Sequence, residues 1–174
     1  MPLTKKAFVG IAMFLVGAAS GVLTALTVFG VLGDMPHIEM PIGSATSIAV
    51  DEAGYIYCPS INYGRVQVYD GGGEFLRGWR IETTSLFRLR SAEGPEGGVV
   101  VALADGRLQA FNPQGELLSS AQDSEAFSRF GQGQLTRAMD AHGNRYRLVL
   151  RWIYPCIIKT PPSGEKELIY FTPP

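Results

Sequence analysis

From Ile48 to Trp79 the chain alternates apolar and polar residues in short runs broken by turn-forming clusters. The runs are Ile48-Ala49-Val50, Tyr55-Ile56-Tyr57, Arg65-Val66-Gln67-Val68-Tyr69 and Glu74-Phe75-Leu76-Arg77-Gly78-Trp79. Asp51-Glu52-Ala53-Gly54, Ser60-Ile61-Asn62-Tyr63-Gly64 and Asp70-Gly71-Gly72-Gly73 separate them. A period of two puts successive side chains on opposite faces, and Gly, Asn and Asp accept tight turns. The stretch therefore predicts four short antiparallel strands.

The same pattern returns twice. Arg107-Leu108-Gln109-Ala110-Phe111-Asn112 repeats residues 65–70, and Gln114-Gly115-Glu116-Leu117-Leu118 repeats residues 72–76. Phe87 to Glu93, Gly97 to Leu103 and an Asp-Gly turn at Asp105-Gly106 complete that second unit. Ala138-Met139-Asp140-Ala141-His142-Gly143-Asn144-Arg145-Tyr146 then repeats residues 49–57. Leu148 to Ile153, Pro155 to Lys159 and Ser163 to Phe171 supply its remaining strands. Between the second and third units, residues 121–134 are polar and rich in small residues, and a surface connection is expected there.

The first third differs. Residues 7–32 carry no charged side chain. As a helix rising about 1.5 Å per residue they would be roughly 39 Å long, enough for a hydrocarbon core of about 30 Å. Lys5 and Lys6 precede this stretch, and Asp34, His37 and Glu39 follow it. The expectation is a single-pass anchor with its N-terminus in the cytoplasm and a periplasmic or extracellular C-terminal domain. Gly17 and Gly21 form a GxxxG spacing, with Gly10 and Thr24 near the same face, so these four are the candidates for helix packing within a membrane. The resulting division is 1–33 tip and anchor, 34–45 extended linker, and 46–174 β domain.

The first unit resembles an NHL repeat, a family of β-propeller blades. Ala49-Val50-Asp51, Gly54, Tyr55-Ile56-Tyr57, Asn62, Arg65 to Asp70, Gly73 and Phe75-Leu76 carry the resemblance in order. Cys58-Pro59-Ser60 departs from it, standing where an acidic residue is common. The resemblance implies a mainly β fold, an incomplete β-propeller of about three four-stranded units, and a role in protein–protein interaction. Closed propellers need about 4–8 blades, because a blade hides its faces only against its neighbours. Two blade faces are thus expected to be uncovered. Two copies closing a six-blade ring, another protein, or a different sandwich or barrel would each satisfy them.

With 21 Gly and 11 Pro the chain favours turns over helices. Its net charge of −1 argues against nucleic acid as a partner. No CxxCH haem site, glycine-rich phosphate loop or spaced His/Cys/carboxylate set is present, so no metal or cofactor is expected. Ser60, His142 and Asp140 make a triad only on paper. Cys58 and Cys156, the two cysteines, permit a disulfide in an exported domain without requiring one. Tyr63, Arg65 and Arg107 are the candidate partner contacts, Arg65 and Arg107 because they recur at equivalent places. These features lead to an expected non-enzymatic, membrane-anchored interaction module, an accessory or scaffolding subunit whose partners are a membrane and either foreign proteins or a second copy. A small-ligand sensor, or a propeller-type hydrolase or lyase, are the alternatives.

Overall fold

The structure, a computed structural model, describes residues 13, 16–22, 35–42, 45–83, 86–93, 97–131, 136–151 and 154–171. Twelve strands form three four-stranded antiparallel sheets. Sheet 1 contains β1 (Ala49–Val50), β2 (Ile56–Ser60), β3 (Arg65–Tyr69) and β4 (Phe75–Arg80). Sheet 2 contains β5 (Phe87–Ser91), β6 (Val99–Leu103), β7 (Arg107–Phe111) and β8 (Leu117–Gln122). Sheet 3 contains β9 (Arg137–Met139), β10 (Arg145–Arg151), β11 (Tyr154–Thr160) and β12 (Glu167–Phe171). Each sheet is a simple meander, and the three fit blade units.

Sheet 1 lies in the middle. One of its faces packs on sheet 2 through Tyr57, Val66 and Val68 against Phe87, Leu89, Val101 and Phe111. The other packs on sheet 3 through Val50, Ile56, Cys58 and Tyr69 against Tyr146, Leu148 and Ile157. Strict alternation makes this possible, since neighbouring residues of β2 and β3 serve opposite interfaces. At about 1.5–3 kcal/mol for each fully buried aliphatic or aromatic side chain, these two seams outweigh any single hydrogen bond in the molecule.

Residues 35–42, expected as part of an extended linker, lie against the sheet 3 side of sheet 1. Met40 N donates to Gln67 Oε1 at 2.6 Å, and Gln67 Nε2 donates to Met40 O at 2.7 Å. Ser60 Oγ donates to Pro41 O at 2.8 Å, and Ile42 is fully buried in the seam between sheets 1 and 3. Polar side chains within β2 and β3 account for the difference: a free backbone strand satisfies them there.

The connection after β8 also has more structure than its composition implied. Asp123 accepts the backbone N–H of Glu125 and of Ala126, and a short helix, Ala126–Gly131, follows. Ala126 and Phe130 pack on Ala102, covering the β5–β6 part of the face of sheet 2 that points away from sheet 1 and leaving β8 exposed. Arg88 and Arg90 on that face lie over the rings of Phe127 and Phe130, at 4.1 and 4.8 Å from the ring centroids. A further blade cannot stack there without displacing this helix.

The membrane anchor is corrected. Among the described residues no helix is long and apolar enough to cross a membrane. The single-pass placement, with a cytoplasmic N-terminus and an exported domain, is withdrawn on that finding. Within residues 7–32 only 13 and 16–22 are described, and they are helical. Gly10 and Thr24 lie outside the described residues. Gly17 and Gly21 are exposed, and a methyl group placed on either meets no atom within 4 Å.

Candidate functional site

On the face of sheet 3 directed away from sheet 1, the β9 side and the first half of β10 are exposed, whereas Cys156, opposite Val149 on that face, is fully buried. On β10, Tyr146 and Leu148 point into the seam with sheet 1, so Arg145, Arg147 and Arg151 must point the other way, and all three are exposed. In β9 the same rule turns Ala138 inward and Arg137 and Met139 outward; Met139 is 63% exposed. Cross-strand register then assembles the face. Arg147 stands directly opposite Arg137, and Arg145 stands opposite Met139 on one side and Thr160 on the other. Together with Ala138 and Tyr146, these residues line a cleft of about 500 Å³.

Two guanidinium groups directly opposite one another repel. Among the described residues the ion pairs join Arg107 to Asp105 and Arg129 to Asp123 and Glu125, and none reaches these four arginines. Among the described residues, folding thus gathers positive charge around this cleft without a paired carboxylate.

The β9–β10 turn holds that face in register. Asp140, buried, accepts the backbone N–H groups of His142 and Asn144 on Oδ1, both at 2.9 Å. On Oδ2 it accepts Asn144 Nδ2 at 2.7 Å and Tyr146 OH at 3.0 Å. Burial alone would raise the pKa of this carboxyl; the hydrogen bonds from Asn144, Tyr146 and His142 outweigh it and hold the pKa below its ordinary value. Burial, with the neighbouring Asp140, pushes the Tyr146 hydroxyl upward. Lys159 Nζ, beside the Tyr146 ring, donates to Gly71 O at 2.9 Å and locks sheet 3 to a turn of sheet 1.

A folded-state pKa below the unfolded one means the carboxylate stabilises the fold above the unfolded value of about 3.9. That contribution is lost as pH falls through the lower, folded value. Asp140→Asn is expected to cost about 1–2 kcal/mol at pH 7, and the gap to the parent protein should narrow as the pH falls below about 4. Thermal melts of both proteins across that range read the effect; a gap constant with pH would contradict it.

The residues singled out from sequence are not brought together. Arg65 is fully buried and donates to Met35 O at 2.7 Å, so it serves the fold and cannot contact a partner. Arg107 pairs with Asp105 at 2.8 Å and donates to Glu82 O at 2.7 Å. Tyr63 is half-buried in the 3-10 turn Ile61–Tyr63. The bridge considered for Cys58 and Cys156 is not formed; both are free, buried thiols, and burial raises the pKa of Cys58. The arginine face was missed, although Arg145, Arg147 and Arg151 alternate with Tyr146, Leu148 and Leu150 except at Val149. Period-two reading of that run alone separates an apolar face from a basic one.

No family model and no curated protein sequence matches the chain. Among solved structures, it is similar to a selenomethionine-substituted virginiamycin B lyase from Staphylococcus aureus at 14% identity and a TM-score of 0.42. That match covers 75% of this chain and 42% of the other. A streptogramin B lyase structure matches at 11% identity and a TM-score of 0.40, covering 81% and 45%. A protein of unknown function from Bacteroides caccae matches at 15% and 0.37, covering 74% and 45%. The chain thus spans less than half the length of each. Two of the three are enzymes by name, against the expectation of a non-enzymatic chain, and that expectation is withdrawn. The likeness is too distant to carry their activity to this protein; the description as blades rests on its own three sheets.

Proposed function

We propose that this chain is an NHL-type blade module that binds another protein through the outer face of sheet 3, as an accessory or scaffolding subunit. One observation carries this: a sheet face in which Arg137, Met139, Arg145 and Arg147 stand exposed around a cleft, while part of the outer face of sheet 2 is covered by the chain's own helix. A sheet face without a second layer is a surface in want of one. The ordered NHL pattern from Ala49 to Leu76 supports the family and, through it, an interaction role.

A photo-crosslinking amino acid at Met139, in the middle of the face, tests the proposal against the same group at exposed Ser119 on β8. In cells the Met139 position is expected to give a defined crosslinked species, and the Ser119 position none. Equal capture at both positions, or none at either, overturns it. The cleft, within the 300–1,000 Å³ typical of ligand pockets, supports a small-ligand domain as the second function. A ligand that raises the melting temperature while crosslinking stays absent would favour that alternative.

A further inference from the structure

We infer that the partner segment docking on sheet 3 is an extended acidic strand, with carboxylates at alternate positions and apolar residues between them. This rests on the docking face proposed above and names its chemistry. Three properties of the face lead there. First, its charge has one sign. Arg137, Arg145, Arg147 and Arg151 lie on neighbouring strands, with Arg137 and Arg147 directly opposed, and an arriving carboxylate relieves that repulsion. Guanidinium forks take carboxylates through two parallel hydrogen bonds.

Second, the spacing is that of a strand. Arg145 and Arg147 are two residues apart on β10, roughly 7 Å, which matches carboxylates at i and i+2 of an extended peptide. Met139, Val149 and Ile158 share the face with the arginines, offering apolar contact to side chains placed between the carboxylates.

Third, the face is unlike the one through which these sheets stack on each other. The hydrophobic seam between sheets 1 and 3 is made of Val50, Ile56, Tyr69, Tyr146, Leu148 and Ile157. Within the chain Arg90 and Phe130 already border a second cleft with Arg137 and Met139, and a second copy's Arg88 and Arg90 would add like charge to like charge. A nucleic acid would meet a chain of net charge −1 overall.

The test uses the full chain and fluorescein-labelled peptides, with binding read by anisotropy. Glu-Val-Glu-Val-Glu-Val-Glu is expected to bind at least about tenfold more tightly than its Gln-Val counterpart, and to weaken with salt. The double variant Arg145→Gln, Arg147→Gln should lose at least about tenfold in affinity. Arg80→Gln, an exposed arginine on sheet 1, should lose less than about twofold. Equal binding of the Glu and Gln peptides overturns the inference, as does equal loss in the two variants. A single-stranded oligonucleotide of matched charge that competes better than the peptide also overturns it. Should the peptides fail while Met139 still crosslinks a protein, the acidic chemistry is wrong and the docking face stands. Should both fail, the face itself is not a binding surface.

Discussion

Gly73→Ala is expected to lower the melting temperature by at least about 6 °C, equivalent to a loss of about 3 kcal/mol or more. Gly73 ends the turn between β3 and β4 with φ at 86°, a left-handed conformation that costs other residues about 1–2 kcal/mol. Strain is the smaller part. A methyl group at this position would overlap the carbonyl oxygen of Ile169, on β12 of sheet 3. That atom is backbone, at the bulge of β12 opposite Ile157 and Ile158, and moves only if the strand shifts with it. The turn would have to lift away, taking with it the Lys159 contact to Gly71 O and part of the seam around Tyr69 and Ile169. Gly164→Ala separates the two effects. Gly164 has the same φ of 86°, but nothing lies within 4 Å of the added carbon. It should cost only the conformational part, about 1–2 kcal/mol. Melting curves of the two variants that coincide would show that sheets 1 and 3 do not meet at this turn.

The second large effect is at Asp51, which ties sheet 1 to sheet 2. Its carboxylate is buried and accepts Tyr55 N at 2.9 Å, Tyr57 OH at 2.7 Å and Gly98 N at 3.1 Å. The first two bonds close its own turn; the third crosses to the residue before β6. Asp51→Ala strands three donors at a cost of about 1–3 kcal/mol each when buried, so a loss of about 3 kcal/mol or more is expected. Tyr57→Phe leaves the carboxylate its two backbone donors and should cost about 1–2 kcal/mol. Hydrogen exchange distinguishes this from a local turn defect: the amides of β6 should lose protection along with those of β1. Asp140 holds the equivalent place in the third unit, yet all its partners lie within its own turn. Asp140→Ala should leave β6 protected. Unchanged protection of β6 in Asp51→Ala would remove Asp51 from the seam.

These two predictions concern contacts between sheets, where sequence reasoning was weakest. Within each sheet it was strong. The alternating runs, the Asp-Gly turns and the recurrences of Arg65 to Asp70 at Arg107 and of Ala49 to Tyr57 at Ala138 located twelve strands in three meanders. Local chemistry is enough for that, because a period-two run bounded by Gly and Asp has few other stable conformations. The candidate contacts fared differently. Arg65 and Arg107 look equivalent by spacing, but one is sealed beneath residues 35–42 and the other is held by a neighbouring aspartate. Repeat position fixes which way a side chain points and says nothing of what lies above it. The arginine face was legible in the alternation of β10, but its pairing with Arg137 required the register.

By itself the sequence determined the three meanders, their turns and the division of each strand into two faces, since these follow from side-chain period and turn chemistry over a few residues. Only the tertiary structure decided that sheet 1 lies between the other two, that Ala126–Gly131 covers part of the outer face of sheet 2, and that the arginines of β9 and β10 are left exposed on sheet 3. The order of packing depends on which apolar faces match across long loops. Contacts between residues far apart in the chain decide that, and no local pattern records them.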